Sequence, residues 1–248
     1  MGHHGRMHAQ PGVGLRPDTP WGYLPPTSFR SRRSALSDTQ RETWDRLFPQ
    51  LGRQADDGAP LDTRAWFGRD APLVVEIGCG SGTSTLAMAQ AEPDIDVIAV
   101  EIYRRGLAQL LCAIDNAGVT NIRLIRGNGV DVLKDLIAPA SLTGVRVFFP
   151  DPWPKARHHK RRLLQTGTVS LIADRLLPAG VLHAATDHPG YAEHIAAVGD
   201  AEHRLVRVDP GAEALPISVT RPTTKYETKA QEAGSSVCEF VWKRREDR

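Results

Sequence analysis

The residues with the clearest chemical purpose run from Phe148 to Arg162, FFPDPWPKARHHKRR. A carboxylate, Asp151, stands between two prolines and a tryptophan follows. Lys155 to Arg162 then carries five Lys or Arg and two His in eight residues. An RNA would use all three features: its phosphates suit the basic run, and a nucleobase suits the acid and the flat ring. Pro150 fixes its own φ, and Pro152 biases Asp151 toward an extended conformation, so the carboxylate is expected on a stiff loop. Trp153 could cover a pocket, stack on a base for roughly 1–3 kcal/mol, or simply pack. Phe148 and Phe149 are expected to bury in a sheet. The basic run precedes an apolar helical stripe, which puts it in the first turn of that helix or the loop before it. Cations there face the positive end of the helix dipole and lose roughly 0.3–1 kcal/mol each. A charged run is usually a solvated face, but one placed against local stability beside a candidate site points to phosphate binding.

A second constellation, VVEIGCGSGTST, brings Glu76, Gly78, Gly80 and Gly82 to a strand-to-helix turn. Glycines there permit positive φ and let a ligand approach the backbone. Glu101 lies 19 residues after Gly82, at the end of the next apolar run. An acid at that place can accept hydrogen bonds from ribose hydroxyls. Two cofactors compete, with a ligand-free glycine turn as the third reading. A dinucleotide asks for GxGxxG and sets its pyrophosphate on a helix N-terminus. The spacing here is GxGxG, and the Glu76 carboxylate would repel a pyrophosphate. It suits the ammonium or sulfonium of S-adenosylmethionine. Asn128 follows the third strand, in the loop that meets the adenine in folds binding that cofactor. Its amide could hydrogen-bond the base edge. Asp131 is the alternative, and a plain Asn-Gly turn is the purely structural reading.

These groups need elements to position them. LVVEIG, DVIAVE, NIRLIRG, GVRVFFP and GVLHAAT read as buried strands, and HRLVRV and SSVCEFVWK as late ones. Helices are expected at Ser81–Ala91, Tyr103–Ala117, Val130–Ile137 and Pro189–Val198, and over the stripe Leu164, Val169, Ile172, Leu176, Leu177. A short helix is expected at Asp38–Leu47, capped by Ser37 or Asp38, with loop and one further turn over residues 50–70. Strands alternating with helices at short spacing predict an α/β fold: a mainly parallel, Rossmann-like sheet of seven strands with helices on both faces. Residues 1–36, rich in Gly, Pro and Arg, read as a basic arm, and residues 37–248 as one domain.

The chain has 248 residues, 41% hydrophobic and 24% charged, with a net charge of +2, so its basic character is local. Residues 1–33 hold five Arg against one acid. Cys79, Cys112 and Cys238 are far apart and odd in number, which argues against a disulfide framework or a zinc site. No apolar stretch suggests a signal or a membrane span. A cytoplasmic protein without a metal is expected.

FPDPWPKARHHKRR, EIGCGSG, ATDHPGYAEH and PTTKYE together resemble the bacterial tRNA (guanine-N7-)-methyltransferases. The resemblance covers roughly Phe29 to the C-terminus. It implies a class I methyltransferase that moves a methyl group from S-adenosylmethionine to N7 of a variable-loop guanosine in tRNA. It also implies roles by position. Glu76, Glu101 and Asn128, with the glycines Gly78, Gly80 and Gly82, look like the cofactor contacts. Asp151 looks like the active-site residue, also touching the cofactor. Lys155 and Asp187, with Thr224, Lys225, Tyr226 and Glu227, look like substrate contacts. Arg157, His158, His159, Lys160, Arg161 and Arg162 look like the RNA-binding segment. Asn128 stands where many relatives carry Asp, and Tyr226 where Phe is common. A monomer with tRNA as its partner is the implied state. The rival readings are a methyltransferase of another RNA guanine, a non-catalytic RNA-binding protein on this fold and a nicotinamide dehydrogenase.

Overall fold

The computed structural model describes residues 35–58, 60–223, 225–232, 234 and 236–246. The expected basic arm lies outside these, apart from its last two residues, and so does Thr224. Helix α1 (Asp38–Leu51) begins at a capping box: the Ser37 hydroxyl accepts from Gln40 N–H at 3.2 Å, and Gln40 Oε1 accepts from Ser37 N–H at 3.1 Å. Two orphan donors of the first turn are thereby satisfied reciprocally. A three-residue strand β1 (Gly52–Gln54) follows where loop was expected, and the one-turn helix α2 (Thr63–Phe67) is the single further turn expected over residues 50–70.

The alternating units then run in order: β2 (Leu73–Ile77), α3 (Thr83–Ala91), β3 (Asp96–Glu101), α4 (Arg104–Ala117) and β4 (Ile122–Arg126). The expected Val130–Ile137 helix is split. A single turn, α5 (Gly129–Asp131), leads into a wider π turn over Val132–Leu136, in which Ile137 N–H reaches back to Val132 C=O. After β5 (Leu142–Phe148) comes a 3₁₀ helix (Ala156–Arg161), then α6 (Thr166–Arg175), β6 (Leu176–Thr186), α7 (Pro189–Ala201), β7 (Leu205–Arg207), α8 (Lys225–Glu232) and β8 (Cys238–Arg244).

The strands form one sheet in the order β1-β4-β3-β2-β5-β6-β8-β7. Seven of its strands are those expected, and the eighth is the short edge strand β1. Strands β1 to β6 pair in parallel, whereas β8 runs antiparallel to both β6 and β7. Central strands buried on both faces read as near-continuous apolar runs, and β2 is buried at all five positions, with Glu76 its one polar residue. One core joins β2, β5 and β6 to α6, α7 and the π turn, through residues such as Val75, Val145, Ile172 and Ile195. The other packs α4 and Trp44 of α1 on the opposite face. Leu107, Leu110, Leu111 and Ile114 of α4 are all buried there, each worth about 1.5–3 kcal/mol of transfer free energy. From β2 the chain winds out through β3 and β4 on one side and β5 and β6 on the other. The strand order therefore reverses beside β2, where the carboxyl ends open a crevice.

Candidate active site

That crevice is a cleft walled by the carboxyl ends of four parallel strands. Gly78 comes from β2, Glu101 and Tyr103 from β3, Asn128 from β4, and Phe149 and Asp151 from β5, with Trp153 and Arg161 closing one side. The sequence placed Glu101, Asn128 and Asp151 far apart in the chain, and the fold brings all three to one cavity.

The turn after β2 has three glycines at positive φ: Gly78 at 77°, Gly80 at 57° and Gly82 at 76°. A Cβ built on Gly78 or Gly80 meets nothing within 4 Å, so both face open space. Side chains there would fill the cradle, in a conformation that L residues rarely adopt. Gly82 serves packing instead, because a Cβ there would meet the Leu110 side chain at 2.5 Å.

Glu101 is held by the backbone on three sides. Its Oε1 accepts from Ile102 N–H at 2.7 Å and Tyr103 N–H at 3.1 Å, and its Oε2 accepts from Gly80 N–H at 2.9 Å. A carboxylate has about four acceptor positions, so this one is oriented yet keeps room for a hydroxyl on Oε2. Asn128 is both cap and wall. Its Oδ1 accepts from Val130 N–H at 2.8 Å and caps α5, while the residue lines the cleft.

Glu76 does not line the cleft. It is 2% exposed, and its Oε2 has no hydrogen-bond partner among the described residues. Burial pushes its carboxyl up to about 7, against the smaller downward pulls of the Thr85 hydroxyl and the Arg146 charge. Across the strands, Glu76 pairs in register with Arg146, and Arg146 with His183. This makes a buried polar row that the apolar patterning did not announce. Its signal in the sequence is a lone charge inside a strand run, GVRVFF, and a lone His inside VLHAAT. Arg146 donates to Glu92 Oε2 at 2.7 Å and to Ser218 C=O at 3.1 Å. His183 is held neutral, its burial outweighing the pull of Glu239. Its Nε2 lies 2.9 Å from Glu239 Oε2, so that nitrogen carries the proton and donates.

The loop bearing Asp151 is strained on both sides of it. Phe149 has φ 51° and Trp153 φ 44°, left-handed values that cost bulky residues about 1–3 kcal/mol each. Phe148 is buried as expected, whereas Phe149 turns out of the strand and lines the cleft. Two bonds hold the strain in place: Phe149 N–H donates to Ala185 C=O at 2.8 Å, and Arg162 Nε donates to Pro152 C=O at 2.8 Å. Asp151 is exposed at the mouth of the cleft. Asp187 is exposed too, just past the end of the neighbouring strand β6, so the two carboxylates share one edge of the sheet.

The basic run folds as its own 3₁₀ helix, four residues ahead of α6. The expected dipole penalty at the α6 N-terminus therefore does not arise. Instead His158, His159, Lys160 and Arg161 occupy the last turn of the 3₁₀ helix, where positive charge is favoured. Lys155, Arg157 and Lys160 are exposed. His158 is lowered by burial and by Arg161, Arg157, Lys155 and Lys160 around it. Arg161 stacks over the Trp153 ring at 5.0 Å and joins the cleft wall. Arg162 leaves the basic surface altogether. It is 2% exposed, donates to Pro152 and Gly190 carbonyls and lies over the Tyr191 ring at 4.9 Å. Its guanidinium is taken up by the fold and is not available to a phosphate.

Glu227 also departs from the expected substrate contact. It is 5% exposed and engaged by both terminal nitrogens of Arg221. Of Lys225 and Tyr226 the backbone is described, at the start of α8. Cys79, Cys112 and Cys238 are free thiols. Among the described residues no cluster of His, Cys, Asp and Glu is placed to hold a metal ion, and no helix is long and apolar enough to cross a membrane.

Known proteins share this architecture and much of this sequence. The methyltransferase family model Methyltransf_4 matches residues 70–240. The tRNA (guanine-N(7)-)-methyltransferase of Mycobacterium tuberculosis (strain ATCC 25618 / H37Rv) is 73% identical over 252 residues, covering 98% of this chain and 96% of that protein. That of Mycobacterium avium (strain 104) is 70% identical over 260 residues, covering 99% and 100%. The solved structure of the 16S rRNA methyltransferase KamB aligns with TM-score 0.52 at 12% identity, over 75% of this chain and 95% of that one, a likeness of fold. The sheet is that of the Rossmann-like class I methyltransferases. A similarity running through nearly the whole of both chains, at identities of this size, leaves one assignment: the chain belongs to the tRNA (guanine-N(7)-)-methyltransferase family.

Proposed function

We propose that this protein methylates N7 of a guanosine in tRNA, the variable-loop guanosine, with S-adenosylmethionine as methyl donor. The observation that carries this reading is the convergence of Glu101, Asn128 and Asp151 on one cleft beside an open glycine turn. The residues fit the donor. Gly78 and Gly80 leave an uncovered cradle, Glu101 keeps an acceptor position for a ribose hydroxyl, and Asn128 stands at the base end. Glu76 lies behind the lining, two residues before Gly78, and its buried oxygen without a partner among the described residues suits a nearby cationic end. When bound, S-adenosylmethionine supplies an electrophilic methyl group on a sulfonium.

The chain's own work is then positioning and charge. Guanine N7 carries a free lone pair at neutral pH, so no strong base is required, and alignment supplies much of the rate. The ring becomes cationic as the bond forms, and the Asp151 carboxylate, fixed on its strained loop, stabilises the developing charge. Asp151 and Asp187 also offer acceptors for the N1–H and N2–H donors of guanine, where adenine presents a different pattern. Lys155, Arg157 and Lys160 face solvent beside the cleft, placed for phosphates, and Lys225 and Tyr226 begin α8. A flipped or unpaired loop base is the form of RNA such a cleft admits.

The test uses unmodified tRNA transcripts, purified protein and labelled S-adenosylmethionine, with digestion and nucleoside mass analysis. The expected result is N7-methylguanosine at one variable-loop position, lost when that guanosine is changed to adenosine. Methylation confined to another RNA, or none with cofactor bound, would overturn the reading.

A further inference from the structure

We propose that Arg221 is a positioning residue that locks the segment leading into α8 onto the strained Asp151 loop. Residues 208–223 form no helix or strand, so no backbone ladder fixes where the chain entering α8 sits. Buried charge takes its place. Within the segment, Ser218 is held through both backbone groups: its N–H donates to Glu92 Oε1 at 2.6 Å, and its C=O accepts from Arg146 at 3.1 Å. Three residues on stands Arg221, whose side chain is 4% exposed. Its Nη1 and Nη2 each meet a Glu227 oxygen at 2.5 Å, and Nη2 also donates to Glu239 at 2.7 Å.

The same guanidinium lies over the Phe149 ring at 4.9 Å and the Phe148 ring at 5.5 Å. Phe149 is the left-handed residue two positions before Asp151. One planar cation therefore touches α8 through Glu227, β8 through Glu239 and the Asp151 loop through Phe149. A fork-shaped, delocalised cation does this where an ammonium would not, because it can grip a carboxylate with two parallel N–H groups while its flat face stacks on a ring. A buried ion pair is weak support for stability by itself. Here its geometry spans the two segments that must be held in register for a target base to meet Asp151.

The inference rests on tRNA methylation being the activity, and wild-type enzyme assayed alongside separates the two: no methylation by wild type defeats the functional reading alone. The variants are Arg221→Lys, which keeps the charge and loses the fork, and Glu227→Gln, which keeps the shape and loses the charge. Each is measured for S-adenosylmethionine Kd, Tm, and kcat and KM toward tRNA. We expect kcat/KM for tRNA to fall 10-fold or more in each, S-adenosylmethionine Kd to stay within about two-fold, and Tm to move by only a few degrees. The double variant should lose little beyond either single one, because both break the same contact. Wild-type kcat and KM in Arg221→Lys would overturn the inference. So would parallel loss of cofactor binding, Tm and activity, the mark of a residue that merely holds the fold.

Discussion

Replacing Glu76 with Gln removes one buried carboxyl and leaves the shape of the site almost unchanged. Burial raises this carboxyl to about 7 from an ordinary 4.5. A gap of about two and a half pH units corresponds to roughly 3 kcal/mol, at about 1.4 kcal/mol per unit. The sign follows from proton counts. Above about pH 4.5 the unfolded chain releases this proton while the folded chain keeps it, so the group's contribution is fully present below that pH. It is lost as pH rises through about 7. About 2–3 kcal/mol of that loss falls between pH 5 and 8. At about 2–4 °C per kcal/mol for a chain of this size, the difference in Tm between wild type and Glu76→Gln should drift by roughly 5–10 °C across the window. Urea unfolding of both proteins at closely spaced pH values measures the free-energy difference directly, and thermal scans the Tm. His158, His183 and His194, all lowered by burial, titrate in both proteins and cancel in the difference. A difference that stays constant from pH 5 to 8 would refute the reasoning. It would show the carboxyl already ionised in the fold at pH 5, paired with Nε or Nη1 of Arg146, which lack partners here.

Asp151→Ala should lower kcat for tRNA methylation by about 10²–10³ while isothermal titration finds the cofactor affinity unchanged, because Asp151 is exposed and makes none of the contacts that orient Glu101. Equal loss of cofactor binding would make it a cofactor or folding residue. Neutralising Arg157 and Lys160 should flatten the salt dependence of tRNA binding by about one unit of log–log slope per charge. Arg162→Ala should leave that slope alone and instead cost about 1.5–3 kcal/mol of stability, read by chemical denaturation. A salt slope changed by Arg162→Ala alone would reverse the assignment of these side chains. Leu111→Ala, at a fully buried position of α4, should cost about 2–5 kcal/mol in the same denaturation assay. A loss under 1 kcal/mol would mean that the α4 face repacks.

The strands, most helices and the chemistry at the strand ends were legible in the chain because their causes are local. A strand buried on both faces has to read as a near-continuous apolar run, as β2 does with Glu76 as its one exception, and a turn at positive φ asks for glycine, as at Gly78 and Gly80. Asp151 between prolines announced its stiff loop in the same way. What the chain could not announce depends on partners far away in sequence. Whether a basic side chain meets solvent or a carbonyl is not written in its own identity. Arg157 and Arg162 look alike in the run, yet Arg162 is buried against Gly190, 28 residues on. Glu227 reads as a substrate contact until Arg221, itself bound to Glu239 of β8, takes hold of it. The edge strand β1 is three residues long and exists only through its pairing with β4. The left-handed turn at Phe149 is held from outside, by Ala185 and Arg221. Local sequence set which elements form and which acids reach the sheet edge. Tertiary structure decided which charges are spent holding the fold, because long-range pairing and burial alone determine whether a charge keeps its water or exchanges it for a protein partner.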